Sequence, residues 1–254
     1  IRSFVDLSEV IRRETVNTLS GSRVLEKDED MTPLAVVNEF GQIGETDNPK
    51  FIGISYQLVK RAGFLPLTNE LLADSDQNLI AYVSDWIGRK VVVTRNTLIA
   101  GLLSGMTPQT ITDHGGLRKI LNVDLDPAIS ASATILTNQD GFNWLDEQED
   151  DQGRPLLQPD PTQPTRMLYK GRPIVVVANR FLPSRVATNT FAPFYVGNLR
   201  QLAVHFTRGV FELASTREGG EAWRRDTTEM RVITRDDVKF WDTGAAVFAE
   251  AQVA

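Results

Sequence analysis

The chain of 254 residues carries 27 Lys and Arg against 33 Asp and Glu, so its formal net charge is −6. It contains no cysteine and two histidines, which excludes disulfides, thiolate nucleophiles and cysteine-ligated metals from this chain. The acidic balance argues against tight nucleic-acid binding, because such binding depends on Lys and Arg. No apolar run approaches the roughly 20 residues of a membrane span, so we expect no membrane partner.

The first 32 residues are polar and charged, and they start with Ile1 rather than Met. The spacing of Phe4, Leu7 and Ile11 predicts one short amphipathic helix. Residues 20–30 are expected to form an exposed connector. The segment buries too little surface to fold alone. It is therefore either a loose tail or an arm that a neighbouring subunit orders.

Residues 34–65 predict a long β-hairpin. Its first strand begins at 34–37, and the turn region 41–50 is rich in Gly, Asp, Asn and Pro. On the return strand, over 51–61, alternate residues form an apolar face. A two-stranded ribbon is marginally stable on its own. We therefore expect this face to pack on the chain's own body or on another chain.

Apolar residues recur at helical spacing from Leu79 onward. Pro66 and Thr68 are interpreted as the start of the helical region. The polar run 74–76 separates a short first helix from a long one over 77–104, which would be about 40 Å long. Such a helix is expected to form the backbone of one lobe.

Residues 108–200 have an α/β pattern, and the chain after residue 200 is rich in β-forming residues. Thr112 or Asp113 is expected to cap a short helix, and Asn138 to cap a helix over 139–147. The predicted strands are 134–137, 174–178, 194–197, 202–206, 210–214, 230–233 and 245–249.

The sequence offers no convincing catalytic, cofactor or metal site. It has no Gly-rich phosphate loop and no Gly-x-Ser-x-Gly motif. His114 is expected in a turn and His205 half-exposed on a strand, so neither favours a Ser/His/Asp triad. Asp124 and Asp126 lack the ligand number of a calcium loop. Acidic pairs such as 236–237 are interpreted as solvated surface and the four Trp as packing anchors, which indicates a structural role.

The stretch 64–79 resembles the most recognisable segment of tailed-phage major capsid proteins of the Hong Kong 97 type. That family typically shows a strand followed by P-[VL]-[ST]-N-E-L-L-x-D-S, and the residues from Pro66 to Ser75 meet each of these positions. Further segments similar to the family's strands and hairpins are 134–140, 153–157, 171–176 and 194–198.

The resemblance implies an α+β Hong Kong 97-like capsid fold. Its parts are an N-terminal arm, an extended β-hairpin loop, a peripheral lobe with a long spine helix and an α/β axial lobe. The corresponding divisions are 1–32 for the arm, 33–66 for the extended loop, 67–107 for the spine helix, 108–200 for the axial lobe, 201–240 for the peripheral strands and 241–254 for a C-terminal strand returning to the axial lobe.

In that family the arm and the extended loop lace neighbouring subunits together. The contact residues that the resemblance implies in the arm are Phe4, Leu7 and Ile11. Those that it implies in the loop are Ile43, Lys50, Phe51, Ile52, Ile54, Tyr56 and Leu58.

The resemblance also implies a function, that of a major capsid protein without enzymatic activity or cofactor. It would assemble as hexamers and pentamers into the icosahedral head shell of a tailed bacteriophage, in the cytoplasm of the host bacterium. Expected partners are the portal, a scaffolding segment or protein, a protease and a decoration protein, with packaged double-stranded DNA contacted weakly. The Ile1 start fits a cleaved leader or upstream residues outside this chain. Two alternatives are an encapsulin-like compartment shell and an α/β enzyme with an unrecognised site.

Some members of the family form an isopeptide cross-link between an extended-loop Lys and a peripheral-lobe Asn, with a nearby Glu as base. Lys50 and Lys60 lie in or near the loop, but no Asn follows Asn198. We therefore predict no cross-link of this kind. Purified shells should run as single subunits on a denaturing gel, and a ladder of covalent oligomers would contradict the prediction.

Overall fold

The computed structural model describes residues 4–27, 33–45, 48, 50–70, 79–150, 152–209 and 211–253. These residues form two β-sheets, one long helix, several short helices and a two-stranded ribbon. The α-helices are α1 (Leu79–Leu103), α2 (His114–Lys119), α3 (Pro127–Ala131), α4 (Gln139–Asp146), α5 (Leu199–Leu202) and α6 (Ala222–Arg225). In this part of the chain, no helix is long and apolar enough to cross a membrane.

Fifteen strands are described. They are β1 (Arg12–Thr15), β2 (Ser20–Lys27), β3 (Lys50–Gln57), β4 (Val59–Thr68), β5 (Gln109–Ile111), β6 (Thr134–Asn138), β7 (Leu157–Pro159), β8 (Met167–Tyr169), β9 (Arg172–Val177), β10 (Arg185–Val186), β11 (Thr190–Gly197), β12 (Ala203–Thr207), β13 (Glu212–Thr216), β14 (Thr227–Phe240) and β15 (Ala246–Gln252).

The strands divide into two sheets and the ribbon. The first sheet has the order β1-β12-β14-β13, and β4 pairs with β14. The second sheet has the order β5-β15-β11-β6-β9-β8-β7, with β10 beside β11. The ribbon consists of β2 and β3. Most pairs are antiparallel, but β1 with β12, β5 with β15 and β6 with β9 are parallel.

Helix α1 joins the two sheets. Val83 and Ile87 near its start pack with Met230 of the first sheet. Near its end, Ile99 and Leu103 are completely buried in a core that includes residues of the second sheet. At ~1.5 Å per residue the helix is roughly 37 Å long. One helix therefore contributes side chains to two hydrophobic clusters.

Local sequence signals explain several elements and confirm their prediction. Asp113 caps α2 by accepting a hydrogen bond from the Gly116 amide at 3.0 Å. Asn138 caps α4 in the same way, by accepting from the Gly141 amide at 2.8 Å. The helix predicted over 77–104 is confirmed as α1, and each of the seven predicted strands overlaps a strand of the structure.

The predicted helix start at Pro66 and Thr68 is wrong, because both residues belong to β4. Pro66 lies opposite Glu229 of β14. A proline has no amide hydrogen to donate, but β4 pairs with β14 alone among the described strands, so its other edge needs no donor. Helical backbone begins only at Asn69.

The predicted hairpin has a different first strand. Strand β3 pairs with β2, so that Ser20 lies opposite Gln57 and Lys27 opposite Lys50. Residues 33–45 form no strand, and the stretch 20–27 is a strand rather than a connector. The apolar run at 34–37 has the right composition for a strand, but it pairs with no strand in the described part of the chain. The turn residues 46, 47 and 49 lie outside the described part of the chain.

The N-terminal segment folds against its own chain rather than forming an amphipathic helix. A single 3-10 turn, Leu7–Glu9, precedes β1. The buried side chain of Asn96 on α1 accepts a hydrogen bond from the Leu7 amide at 2.8 Å and donates one to the Val5 carbonyl at 2.7 Å. Residues 5–7 belong to no strand, and these two bonds take the place of strand pairing there. This is why so polar a stretch is ordered within the subunit.

The backbone conformation of Gly197 in β11 predicts that the second sheet does not tolerate a side chain at this position. Its φ of +147° is one that other residues rarely adopt, and an added Cβ would collide with the Ala245 carbonyl and lie 2.5 Å from Cα of Ala246. Gly197→Ala should lower the free energy of unfolding by about 1–3 kcal/mol, measured by urea denaturation. Gly53→Ala is the control, because an added Cβ meets no atom there, and its effect should stay within about 0.5 kcal/mol.

Candidate assembly surfaces

The base of the ribbon is fixed to the first sheet by aromatic packing. The rings of Tyr56 and Phe206 stack with centroids 4.4 Å apart. The Tyr56 hydroxyl lies 2.7 Å from Oγ1 of Thr18. Gly21 is required opposite this ring, since a Cβ there would lie 2.6 Å from the Tyr56 hydroxyl. The ribbon therefore leaves the body from a rigid base.

Burial decreases steadily along the ribbon. On one face of β3, Tyr56 is 3% exposed, Ile54 is partly buried and Ile52 is 44% exposed. On the other face Phe51 is exposed, as is Val24 on the neighbouring strand. Eight paired residues at ~3.3 Å each extend the ribbon by roughly 26 Å. Its outer half therefore presents apolar side chains that the body does not cover.

Residues 33–45, which we call the tip segment, carry the largest group of exposed apolar side chains. Phe40 is fully exposed, with a backbone φ of +68°. Exposed apolar surface of this extent on a folded chain is typical of an interaction site. The exposed apolar residues of the tip segment are Leu34, Val36, Val37, Phe40 and Ile43.

The structure separates the loop residues predicted to contact other subunits into two groups. Lys50 is exposed with Ile43, Phe51 and Ile52 and lies on the outer part of the ribbon. Tyr56 and Leu58 are buried in the chain's own core. For these two residues the expectation of an exposed contact is wrong, because the base of the ribbon is packed on the first sheet.

The arm residues also differ from the expectation. Leu7 and Ile11 are buried with residues of α1 and the second sheet, so neither is available to a neighbour. Phe4 is half-buried, and its ring lies 5.7 Å from that of Phe181. The guanidinium of Arg180 lies 4.0 Å above the Phe4 ring. The described part of the arm is thus a component of the subunit's own core.

A groove that the sequence did not reveal runs between β4 and α1. It has a volume of about 260 Å³. Phe64 is exposed on one side, and Trp86 is half-exposed on the other with Lys90 4.9 Å above its ring. Gly63 keeps the groove open, because it lies among the lining residues without a side chain. The remaining lining is mainly apolar, with Arg61 adding a second cation.

The tryptophans do not share one role. Trp144 is buried against Phe194, which confirms it as a packing anchor. Trp86 lines the groove and Trp223 is 78% exposed, so the same expectation is wrong for both. Composition alone does not distinguish a buried from an exposed tryptophan.

A buried charge cluster lies where α1 meets the first sheet. His205 and Asp236 are completely buried, and Nε2 of His205 lies 2.9 Å from Oδ1 of Asp236. Nε of Arg95 lies 3.9 Å from the same oxygen. The expectations of a half-exposed histidine and of a solvated acidic pair at 236–237 are therefore wrong for His205 and Asp236. A strand histidine next to apolar residues was the available signal for burial.

The charges in this cluster shift one another's pKa. Burial alone would raise the pKa of Asp236, but the hydrogen bond from His205 and the charges of His205 and Arg95 outweigh it, so the pKa is lowered. Burial lowers the pKa of Arg95, and Asp236 opposes that effect. The His205–Asp236 pair resembles a catalytic base with its orienting carboxylate. Because both are sealed from solvent, the pair cannot reach a substrate.

The described residues also contain no group of three or more His, Asp and Glu side chains arranged to hold a metal ion. Asp126, one of the two carboxylates considered for a cation, instead caps α3 by accepting from the Ala128 amide at 2.8 Å. Among the described residues, groups of exposed apolar side chains lie at the tip segment, the outer ribbon and the groove.

Comparison with known proteins then decides the family, since the model of the phage capsid family matches residues 1–251. The chain belongs to the phage capsid family. It is a major capsid protein, a structural subunit of the phage head shell. No curated protein matches the chain.

Solved structures confirm the α+β Hong Kong 97-like capsid fold. The capsid of the native GTA particle superposes with a TM-score of 0.78 at 16% identity, covering 100% of this chain and 91% of that one. A Microbacterium phage Oxtober96 chain gives 0.66 at 12% identity, covering 98% and 91%. A Mycobacterium phage Adephagia chain gives 0.63 at 11% identity, covering 100% and 92%. At these identities the likeness concerns the fold.

Within the capsid protein, Asn69 from the family-like segment has a structural task. Its amide nitrogen donates to the carboxylate of Asp226 at 2.6 Å, and its amide oxygen accepts from the Thr228 hydroxyl at 2.7 Å. Asp226 has a left-handed backbone, with φ of +48°, and precedes β14. The asparagine thus joins the end of β4 to the turn that starts β14.

Proposed function

We propose that this capsid protein assembles as hexamers and pentamers into an icosahedral shell around double-stranded DNA. The observation that carries the proposal is the projecting ribbon with its exposed apolar tip segment. Assembly takes place in the cytoplasm of a host bacterium, together with a portal, a scaffolding segment or protein and a protease. A decoration protein is a further candidate partner. The net charge of −6 is consistent with weak contact to packaged DNA.

The proposed contact joins the tip segment of one subunit to the β4–α1 groove of another. Both surfaces are apolar and exposed. The groove carries Arg61 and Lys90, and the tip segment carries Glu39 and Glu45, so their charges are complementary. The ribbon extends the tip segment roughly 26 Å from its base. A second copy of the chain is therefore the proposed occupant.

Expression of the chain followed by negative-stain electron microscopy tests the proposal. We expect closed shells with fivefold and sixfold clusters of subunits, and protected DNA when they form during infection. Protein cargo in place of DNA would favour the encapsulin-like alternative. A chain that stays monomeric under all assembly conditions would refute the proposal that it forms a shell.

Phe40→Asp should abolish shell formation and leave the folded subunit intact, because a charge on the fully exposed ring position disturbs only a contact with another chain. Sedimentation measures assembly, and circular dichroism of the subunit measures folding. Phe40→Leu is the matched control, because it keeps an apolar side chain, and it should still assemble. Normal shells from Phe40→Asp would show that the tip segment is not part of the interface between subunits.

The charge pairing can be tested by reversal. Glu39→Lys with Glu45→Lys should reduce shell yield at low salt by about tenfold or more, because like charges then face each other. Adding Lys90→Glu should restore part of the yield if the groove is the partner. Lys119→Glu, a lysine exposed outside the groove, is the control and should restore nothing. If Lys90→Glu and Lys119→Glu restored the shell yield equally, the tip segment would not bind this groove.

A further inference from the structure

A second cleft lies where the end of α1 meets the second sheet, and its volume is about 520 Å³. Its floor consists of the rings of Tyr195 on β11 and Phe248 on β15, which stack with centroids 4.5 Å apart. Gly101 of α1 lies on its wall, where an added Cβ would meet no atom within 4 Å. Most of the remaining lining is apolar. This space, which we call the sheet cleft, has room for side chains of another molecule.

The rim of the sheet cleft carries an arginine that is held in place without a counter-charge. The guanidinium of Arg180 packs on the rings of Phe4 and Phe181, 4.0 and 4.7 Å from their centroids. It is exposed, and no carboxylate pairs with it among the described residues. Arg185, the other arginine of the rim, is by contrast paired with the buried Glu250 at 3.0 Å. Arg180 is therefore preorganised to donate to a carboxylate from outside the subunit.

Three exposed carboxylates lie at the end of α4 and just after it, and we call them the acidic corner. They are Asp146, Glu147 and Glu149. None of the three forms an ion pair within the described part of the chain. Pro155 lies opposite Glu149 in an isolated bridge and is also exposed. The corner thus presents negative charge together with a rigid apolar side chain, which complements an apolar cleft with an arginine at its rim.

The acidic corner and the sheet cleft do not meet within one subunit. Tyr195 in the cleft packs with α1, whereas the adjacent Phe194 lies on the other face of the sheet and packs with Trp144 of α4. Helix α4 begins beside the rim, because the Gln139 amide donates to Asn179 at 2.9 Å. The corner lies at the other end of this helix, about 12 Å away. Two complementary surfaces at separate places on one chain make a head-to-tail contact, which closes into a ring or continues as a filament.

We propose that the acidic corner of one subunit binds in the sheet cleft of the next, with a corner carboxylate on Arg180, and that this head-to-tail contact closes the rings of subunits. The inference rests on the proposed assembly into hexamers and pentamers, and it names a contact within each ring. It is separate from the contact of the tip segment with the β4–α1 groove, because the two pairs of surfaces share no residue.

Charge reversal tests the pairing of the corner with the rim. Arg180→Glu should reduce shell yield at low salt by about tenfold or more, and so should Glu147→Lys with Glu149→Lys, because like charges then face each other. Circular dichroism checks that each subunit is folded. All three substitutions together should restore most of the yield. Arg118→Glu, at an exposed arginine outside the cleft, is the control and should not rescue the two lysine variants. Normal shells from Arg180→Glu, no rescue by it, or equal rescue by Arg118→Glu would overturn the proposal.

Cross-linking reports on the contact directly and remains informative if Arg180→Glu fails to fold. The chain has no cysteine, so Gln152→Cys beside the corner and Pro183→Cys in the cleft supply the only thiols. Both positions are exposed. In assembled particles, a short bis-maleimide should link the double variant into a ladder of up to five and six subunits on a denaturing gel. A mixture of the two single variants should give dimers and nothing larger, and either variant alone should stay unlinked.

The outcomes separate this contact from the shell itself. Particles of the double variant that give no ladder would refute the binding of the corner in the cleft, while the proposed shell would stand. A natural chain that forms no particles would refute the shell and this contact with it.

Discussion

Asp236→Asn should lower the free energy of unfolding of the subunit by about 3–5 kcal/mol. The substitution keeps the shape of the side chain, and its amide oxygen can still accept from Nε2 of His205. What it removes is the negative charge opposite Arg95, which is 4% exposed and 3.9 Å from the carboxylate. The loss of this buried charge pairing accounts for the expected destabilisation.

Urea denaturation measures this loss, and the neighbouring Asp237→Asn provides the control. Asp237 is only partly buried, and an asparagine oxygen there can still accept from the Gln57 amide, so we expect a loss of less than about 1 kcal/mol. If both variants lost a comparable free energy of unfolding, the strand would be sensitive to any change at this point. The charge of Asp236 would then not be the cause of the loss.

The same carboxylate predicts a further loss of stability in acid. Its pKa is lowered in the folded subunit, so the folded state favours the ionised form more than the unfolded state does. The resulting stabilisation is complete above the ordinary aspartate range near pH 4 and is lost as the pH falls through the lowered pKa. Asp236→Asn should abolish this step, which a pH series of denaturation curves would reveal.

Ile52→Asp and Leu58→Asp are expected to fail in different ways. Ile52 is 44% exposed on the outer ribbon and Leu58 is 8% exposed at its base. Aspartate at position 52 should leave the subunit folded and reduce shell formation below detection, if the outer ribbon contacts another subunit as proposed. Aspartate at position 58 places a charge in the core beside Phe206 and Val204, which should unfold the ribbon base or the whole subunit.

The two outcomes are distinguished by measuring folding and assembly separately. Circular dichroism and urea denaturation report on the isolated subunit, and sedimentation reports on the shells. Ile52→Val is the matched control for position 52, because it preserves an apolar face, and it should assemble. Unfolding by Ile52→Asp would place the outer ribbon in the subunit's own core, and shells from Ile52→Asp would remove this position from the interface.

Features set by neighbouring residues were predictable from the sequence. The periodicity of α1 and the capping roles of Asp113 and Asn138 depend on side chains a few positions away, and each is confirmed. The family-like segment from Pro66 to Ser75 also identified the fold, although Pro66 itself lies in a strand. These signals are local in the chain, which is why one sequence is sufficient to find them.

Features set by distant residues were not predictable. The partner of β3 is β2, which is closer to the N-terminus than the apolar run at 34–37, and strand propensity does not specify the partner. The burial of His205 depends on α1, which packs across the first sheet and lies more than a hundred residues earlier in the chain. The groove beside Trp86 arises from the same crossing. The candidate contact surfaces therefore needed the three-dimensional arrangement.

The route of the chain through the ribbon has a mechanical consequence. Strand β2 continues from β1, which lies parallel to β12 over four residue pairs. Strand β3 leads into β4, which runs along β14 for ten. A pull on the tip segment would load both sets of hydrogen bonds along their strands, in shear, so that many must break together rather than one after another. Tension between subunits of an assembled shell would thus be distributed across the first sheet.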